Sequence, residues 1–188
     1  ILTALRRAEP EIEIELVASD RTENLLQREA DIAVRMYRPT QADVFRQKVA
    51  EMPLGMFAAN SYVERRGRPR SLADMRHHDV VGYDRSELII DGMRAAGLDV
   101  ERRFFPFRCD NQVVCWRLVV AGFGIGFNQL ALGLAEPLVQ QIEIAGAALP
   151  KLPIWLTAHA ELKTSLRVRR VFDFLAEHLA AAAPQHNP

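Results

Sequence analysis

Apolar and polar residues follow one another along this chain with two periods, near two and near 3.6, and stretches of the two kinds take turns. Residues 11–17 alternate strictly, with Ile12, Ile14 and Leu16 on one face and Glu11, Glu13 and Glu15 on the other. That pattern predicts a half-buried strand. Before it, Ile1, Leu2 and Leu5 share one side of a short helix whose Arg6 and Arg7 face water and which Pro10 ends. After it, Asp20 and Glu23 have capping-box spacing for a helix carrying Leu25 and Leu26, and Ile32, Ala33 and Val34 make a short apolar strand. Strand, helix and strand in this order predict a right-handed parallel crossover.

Residues 44–59 hold two strand-like runs that meet at Met52-Pro53, a break that reads as the crossing from one lobe to a second. Residues 61–66 and 71–77 read as short helices separated by the turn Gly67-Arg68-Pro69, and 80–83 as a strand. Residues 85–99 read as a helix closed by Gly97. A strand at 104–108 contains Pro106, which favours an edge or irregular position. Asp110 or Asn111 can cap the next helix, packed through Val114, Leu118 and Val119 and stopped at Gly122. Strands follow at 125–127 and 154–157, and Val168, Val171, Phe172, Leu175 and Leu179 form the stripe of a long last helix. The alternation makes the fold class α/β.

Composition narrows the function. Of 188 residues 49% are hydrophobic, ample for a core, and 24 lysines and arginines balance 24 acids. No basic field draws the chain to nucleic acid or an anionic membrane. Its two cysteines are too few to staple a domain of this size and suit a reducing compartment. With no apolar run near the roughly 20 residues that span a bilayer and no signal-peptide pattern, the expected location is the cytoplasm.

Local motifs are weak when taken singly. Gly122, Gly124 and Gly126 follow a helix and precede a strand, the reverse of a dinucleotide fingerprint, and read as a helix stop and a tight turn into the strand. His77-His78-Asp79 lacks metal-ligand spacing. Cys109 and Cys115 could form a redox pair but read as two small core thiols. The cluster Arg65, Arg66, Arg68 and Arg70 could touch phosphates, yet without interleaved aromatics it reads as a solvated turn. Arg167, Arg169 and Arg170 read as the wet face of the last helix. No nucleophile elbow or P-loop is present, so no residue takes a catalytic role, and no cofactor or metal is expected.

Pro10-Glu11-Ile12-Glu13-Ile14-Glu15-Leu16 and Ala30-Asp31-Ile32-Ala33-Val34-Arg35 look like the opening strand and the D-[IL]-A-[IV]-R segment of one family, the effector-sensing domains of LysR-type bacterial transcription regulators. Phe57-Ala58-Ala59-Asn60-Ser61-Tyr62 resembles its crossover, with Ala59 and Asn60 where a small residue and a serine are usual. Asp110-Asn111 with Val120-Ala121-Gly122-Phe123-Gly124-Ile125-Gly126 resembles its N-D and V-x-A-G-x-G-I signature, followed here by Asn128-Gln129 instead of an apolar residue and proline. Ile154-Trp155-Leu156, His159 and residues 167–175 look like the closing strand and helix.

The resemblance implies two Rossmann-like lobes of type II periplasmic-binding-protein kind, joined by crossing strands: lobe one from 1–53 completed by 154–188, lobe two from 54–153. It also implies an effector in the inter-lobe cleft, and a winged helix-turn-helix, linker helix and first lobe-one strand encoded upstream of Ile1. Ligands of open α/β sheets sit beyond the carboxyl ends of strands. The candidate effector residues there are Ser19, Arg35, Tyr83, Asp110, Asn111, Phe127 and Asn128. Arg35 could pair a carboxylate, Ser19 and Asn128 could hydrogen-bond it, and Tyr83 or Phe127 could cover an apolar body. Each could equally be an ordinary loop group, and Arg35 a structural brace. The family's habit of antiparallel pairing makes Ile1, Leu2, Leu5, Val114 and Leu118 candidates for a homodimer interface, within a tetramer in the full-length protein. Expected partners are thus a small, anionic effector and a second copy, with DNA reached only through the upstream domain and no membrane. The competing expectation is a solute-binding protein or enzyme sharing the two-lobed fold.

Overall fold

The computed structural model describes residues 1–18, 30–40, 44–159 and 164–183. It divides into two compact units, Ile1–Met52 with Lys151–Pro188, and Pro53–Pro150. Strand β2 (Val44–Ala59) runs without interruption through Met52-Pro53, so the proline that reads as a break does not end a strand. Proline fixes φ at a value extended chain accepts and needs only a position where no ladder donor is required.

The first unit holds α1 (Leu2–Ala8), β1 (Ile32–Arg35), the start of β2, β7 (Lys151–His159) and α6 (Leu166–Ala182), with strand order β1-β7-β2. β1 and β7 are antiparallel, Ile32 facing Ala158 and Arg35 facing Trp155. Leu156, Ala158, Val168 and Phe172 form the core under α6, with Ile32 and Val49 against it. The apolar stripe seen in the sequence is therefore the buried face of α6. Leu5 of α1 is buried as well, and Glu9 just beyond α1 holds Arg170 of α6 at 2.6 Å.

Residues 12–18 join no ladder among the described residues, and Leu16 and Val17 lie 71% and 60% exposed. Among the described residues no parallel pairing joins that segment to β1. Alternation states which face a strand would bury, but a strand exists only where a neighbour receives its backbone N–H and C=O groups. The helix expected from Asp20 and Glu23 lies outside the described residues.

The second unit contains the end of β2, α2 (Asn60–Arg66), a 3-10 turn at Ala73–His77, β3 (Val81–Gly82), α3 (Leu88–Ala95), a 3-10 turn at Arg102–Phe104 and β4 (Phe107–Arg108). After these come α4 (Gln112–Val120), β5 (Ile125–Gln129), α5 (Leu130–Leu134) and β6 (Val139–Ile142). β5 and β6 flank β2 antiparallel, while β3 pairs parallel with β4 and Val80 bridges Ile125 in parallel. One cluster, around Tyr62, Val80, Phe105 and Ile125, and a second, around Phe57, Val81, Cys115 and Val119, fill its interior. The strand expected at 104–108 shrinks to two residues after a 3-10 turn, because Pro106 cannot donate to a ladder.

Glycine shapes this unit where side chains would collide. Gly122 closes α4 at φ +85, in the left-handed region. At Gly124 an added Cβ would stand 2.2 Å from the Asp79 carbonyl oxygen, which accepts the Ile125 N–H at 2.8 Å. That close approach ties the start of β5 to the start of β3.

Candidate functional site

Register sets the geometry at the carboxyl ends of the parallel strands. Val80 lies level with Ile125 and Val81 with Phe107, so extending each strand brings Tyr83, Cys109 and Asn128 to one level in the second unit. The Cys109 N–H donates to the Gly82 carbonyl at 3.1 Å, which keeps the ends of β3 and β4 aligned. Five of the candidate residues, Tyr83, Asp110, Asn111, Phe127 and Asn128, thus gather from three strand ends. Sequence separation hides that gathering, and topology creates it.

Within the set, side chains have different duties. The Asp110 carboxylate accepts the Asp84 N–H at 3.0 Å, the Arg85 N–H at 3.1 Å and the Arg85 guanidinium at 2.8 Å. The Arg85 side chain and these N–H groups hold its carboxyl below the usual range, so it is ionised at neutral pH. The Asn111 side chain accepts the Val114 N–H at 3.1 Å and caps α4, as its position suggests. Both groups are committed to backbone. Tyr83 is half-buried; burial pushes its hydroxyl up, and a bond with Gln112 opposes the shift. The Asn128 amide oxygen accepts the Gln129 N–H at 2.8 Å, leaving its amide N–H groups as donors, and Phe127 packs partly on the core.

Besides Asp110, charge around these strand ends comes from residues outside the candidate set. Asp84, paired with Arg102 and 3.7 Å from Arg108, and Asp110, paired with Arg85, set three arginines against two carboxylates. Arg102 also donates to the Asp84 carbonyl oxygen. The local balance is positive in a chain whose total is zero. No local spacing signals this, since the partners lie 18 and 25 positions apart.

The remaining candidates are in the first unit. Arg35, on β1, is 7% exposed; it donates to the Tyr37 hydroxyl and sits 5.6 Å from that ring's centroid. Ser19 lies outside the described residues. Of the interface candidates, Leu5 is already buried in its own unit, Leu2 is half-buried, and Leu118 packs partly against the second cluster. Ile1 at 44% and Val114 at 47% remain exposed.

Burial pushes the Cys115 thiol up to about 11, and its Sγ donates to the Cys109 carbonyl at 3.0 Å. A thiol held protonated is a poor nucleophile. Among the described residues no group of His, Cys, Asp and Glu could hold a metal, and no helix is long and apolar enough to cross a membrane.

A family model described as the LysR substrate binding domain matches residues 1–180. The regulatory domain of CrgA, a LysR-type transcriptional regulator from Neisseria meningitidis, is 21% identical with a TM-score of 0.82, over 95% of this chain and 89% of that one. The AmpR effector binding domain from Citrobacter freundii gives 14% identity and 0.75 over 96% and 90% of the two chains. The CcmR regulatory domain of Synechocystis PCC6803, solved in complex with 2-PG, gives 14% and 0.73 over 97% and 90%. No curated protein sequence matches significantly.

Proposed function

Because the chain belongs to the LysR substrate-binding domain family, we propose that it senses a small anionic metabolite on behalf of a DNA-binding regulator. The chain is a regulatory effector-binding domain with the mixed α/β, periplasmic-binding-protein-like fold of that family. The effector, its charge and its place are the proposal. Its strongest support is the levelling of Tyr83, Cys109 and Asn128 at three strand ends, with Asp110 next in the chain, beside three arginines and two carboxylates. Tyr83 and Phe127 cover the effector's apolar body, Asn128 donates to its oxygens, and Asp110 and Asn111 hold the loops that present them. Arg35 and Ser19 supply the lobe-one half of a cleft that the family resemblance implies.

The mechanism is a population shift. An effector that fits one arrangement of the lobes better than another favours it by the difference in affinity, and a homodimer passes that bias to winged helix-turn-helix heads encoded upstream. Exposed Ile1 and Val114 belong to the proposed dimer contact, whereas Leu5 serves its own unit. The domain binds and does not turn its ligand over, working in the cytoplasm without a cofactor.

Thermal unfolding of the 188-residue chain with a panel of small carboxylates tests the proposal. A true effector at about 100 times its Kd stabilises by about 2.7 kcal/mol, a rise of roughly 5–10 °C in Tm. Asn128→Ala and Arg35→Gln should each remove most of that rise. A panel without response, or an undiminished response in both variants, overturns the assignment of an anionic effector to these residues.

A further inference from the structure

At the opposite end of β3 and β5 the second unit has a polar cavity, and it unites two motifs that look unrelated in sequence. Arg65 and Arg66, at the end of α2, share it with Arg76, His77, His78 and Asp79 of the 3-10 turn and the segment leading into β3. Its volume is about 630 Å³. The tyrosine and asparagine of the strand-end site are not part of its wall.

Three observations distinguish this cavity from a surface where arginines happen to be near. Each guanidinium is tethered to a backbone carbonyl: Arg65 to Gly122 at 3.0 Å, Arg66 to His77 at 2.8 Å and Arg76 to Asp99 at 2.8 Å. A tethered fork has already lost much of the rotamer freedom that ligand capture would otherwise cost. None of the three forms a salt bridge with a carboxylate among the described residues, whereas Arg85, Arg94, Arg102, Arg103, Arg108 and Arg170 all do. Against three guanidinium charges the wall supplies one carboxylate, Asp79.

The wall is also fixed from behind. The hydroxyl of fully buried Tyr62 accepts the Asp79 N–H at 2.9 Å and lies 3.2 Å from His78 Nδ1. One proton is shared between that hydroxyl and Nδ1 of the neutral imidazole, which holds the ring in place. Burial, with Arg66 adding to it, pushes His78 below the ordinary imidazole value, which favours that neutral form. Gly124, with no room for a Cβ against the Asp79 carbonyl, locks the same segment to β5.

We infer that this cavity binds the phosphoryl group of a small anion, as inorganic phosphate or a phosphate monoester, at a site separate from the strand ends carrying Tyr83 and Asn128. Guanidinium forks match the paired oxygens of a phosphoryl group, and their uncompensated charge prefers a dianion to a monocarboxylate. The cavity's wall, three arginines, two histidines and an aspartate, suits a phosphoryl group better than an apolar body.

Calorimetric titration of the 188-residue chain with inorganic phosphate and with ribose 5-phosphate, at constant ionic strength in chloride, tests this. Saturable binding with Kd on the order of 1 mM or tighter is expected. Equal affinity for the two probes marks the phosphoryl group alone as the ligand. Tighter binding of the ester marks a monoester, and binding of inorganic phosphate alone marks the free ion. Arg66→Gln combined with Arg76→Gln should weaken binding at least tenfold, and the paired lysine substitutions, which keep charge but lose the fork, by less. Arg103→Gln, an exposed arginine elsewhere in the unit, should change nothing, and thermal melts report that each variant folds. Absence of saturable binding by either probe, or unchanged affinity in the double glutamine variant, overturns the inference. So does loss of binding in Arg35→Gln with retention in that double variant, because phosphate would then be reporting the proposed effector site.

Discussion

The two ends of the second unit's parallel strands use the same residue types to opposite effect. At the carboxyl end, Arg85, Arg102 and Arg108 lean on Asp84 and Asp110, and the Asp110 carboxylate in turn holds two backbone N–H groups. At the amino end, Arg65, Arg66 and Arg76 lean on carbonyl oxygens and have no acid partner among the described residues. A carbonyl positions a guanidinium without neutralising it, whereas a carboxylate does both. Arginine density therefore says little about anion affinity until the acceptor of each fork is known.

Disturbing one end alone should have the largest effect. Gly124→Ala drives a methyl into the Asp79 carbonyl, and backbone cannot swing aside as a flexible side chain can. A loss of about 3 kcal/mol in chemical denaturation is expected. Phosphate affinity should fall with it while the response to a carboxylate effector is kept; a neutral substitution would show that the contact between Asp79 and β5 is loose.

Removing the acid from the other end sharpens the same contrast. Asp110→Ala leaves two N–H groups and Arg85 without their acceptor, and with water replacing part of it the cost is about 1–2 kcal/mol. It also removes one of the two carboxylates set against three arginines, so the strand-end site should gain affinity for simple anions. Unchanged anion affinity in Asp110→Ala would argue that pairing is not what separates the two ends. Smaller still is Asn111→Ala, which removes the cap of α4 and should cost about 1 kcal/mol without altering phosphate binding.

The smallest effect is on pH dependence. His78 in the folded chain titrates below its ordinary value of 6.5, and Asp110 below 3.8. Both shifts mean that the unfolded state binds protons first as pH falls. Stability from His78 is thus complete above pH 6.5 and declines below it, while that from Asp110 declines only below about pH 4. His78→Gln should flatten the first decline and leave the second. Denaturation midpoints measured from pH 7.5 to 3.5 separate the two windows, and an unaltered slope near pH 6 in His78→Gln would remove that histidine from the account.

Local chemistry was readable wherever it acts over one element. A cap at Asp110 or Asn111, the stop at Gly122 and the stripe of α6 follow from spacing alone, and the resemblance of the ordered segments led to the family and its fold. The five residues of α5 and the four of β6 escaped notice. Such short elements carry too few periods to register, and Gly133, placed where the Phe57 ring leaves no room for a Cβ, resembles a breaker until that ring is seen.

By itself the sequence determined which faces would be apolar, where helices start and stop, and that charges balance over the whole chain. It could not determine whether residues 12–18 would pair, because a strand needs a neighbour that alternation does not specify. Nor could it say which arginines have acids and which only carbonyls. Those partners lie between 11 and 57 positions away in the amino-end cavity, and only the folding of α2, the 3-10 turn, the loop after α3 and the end of α4 onto one another brings them within hydrogen-bonding distance. Charge is a property of residues, but whether it remains uncompensated at one place is decided by tertiary contact.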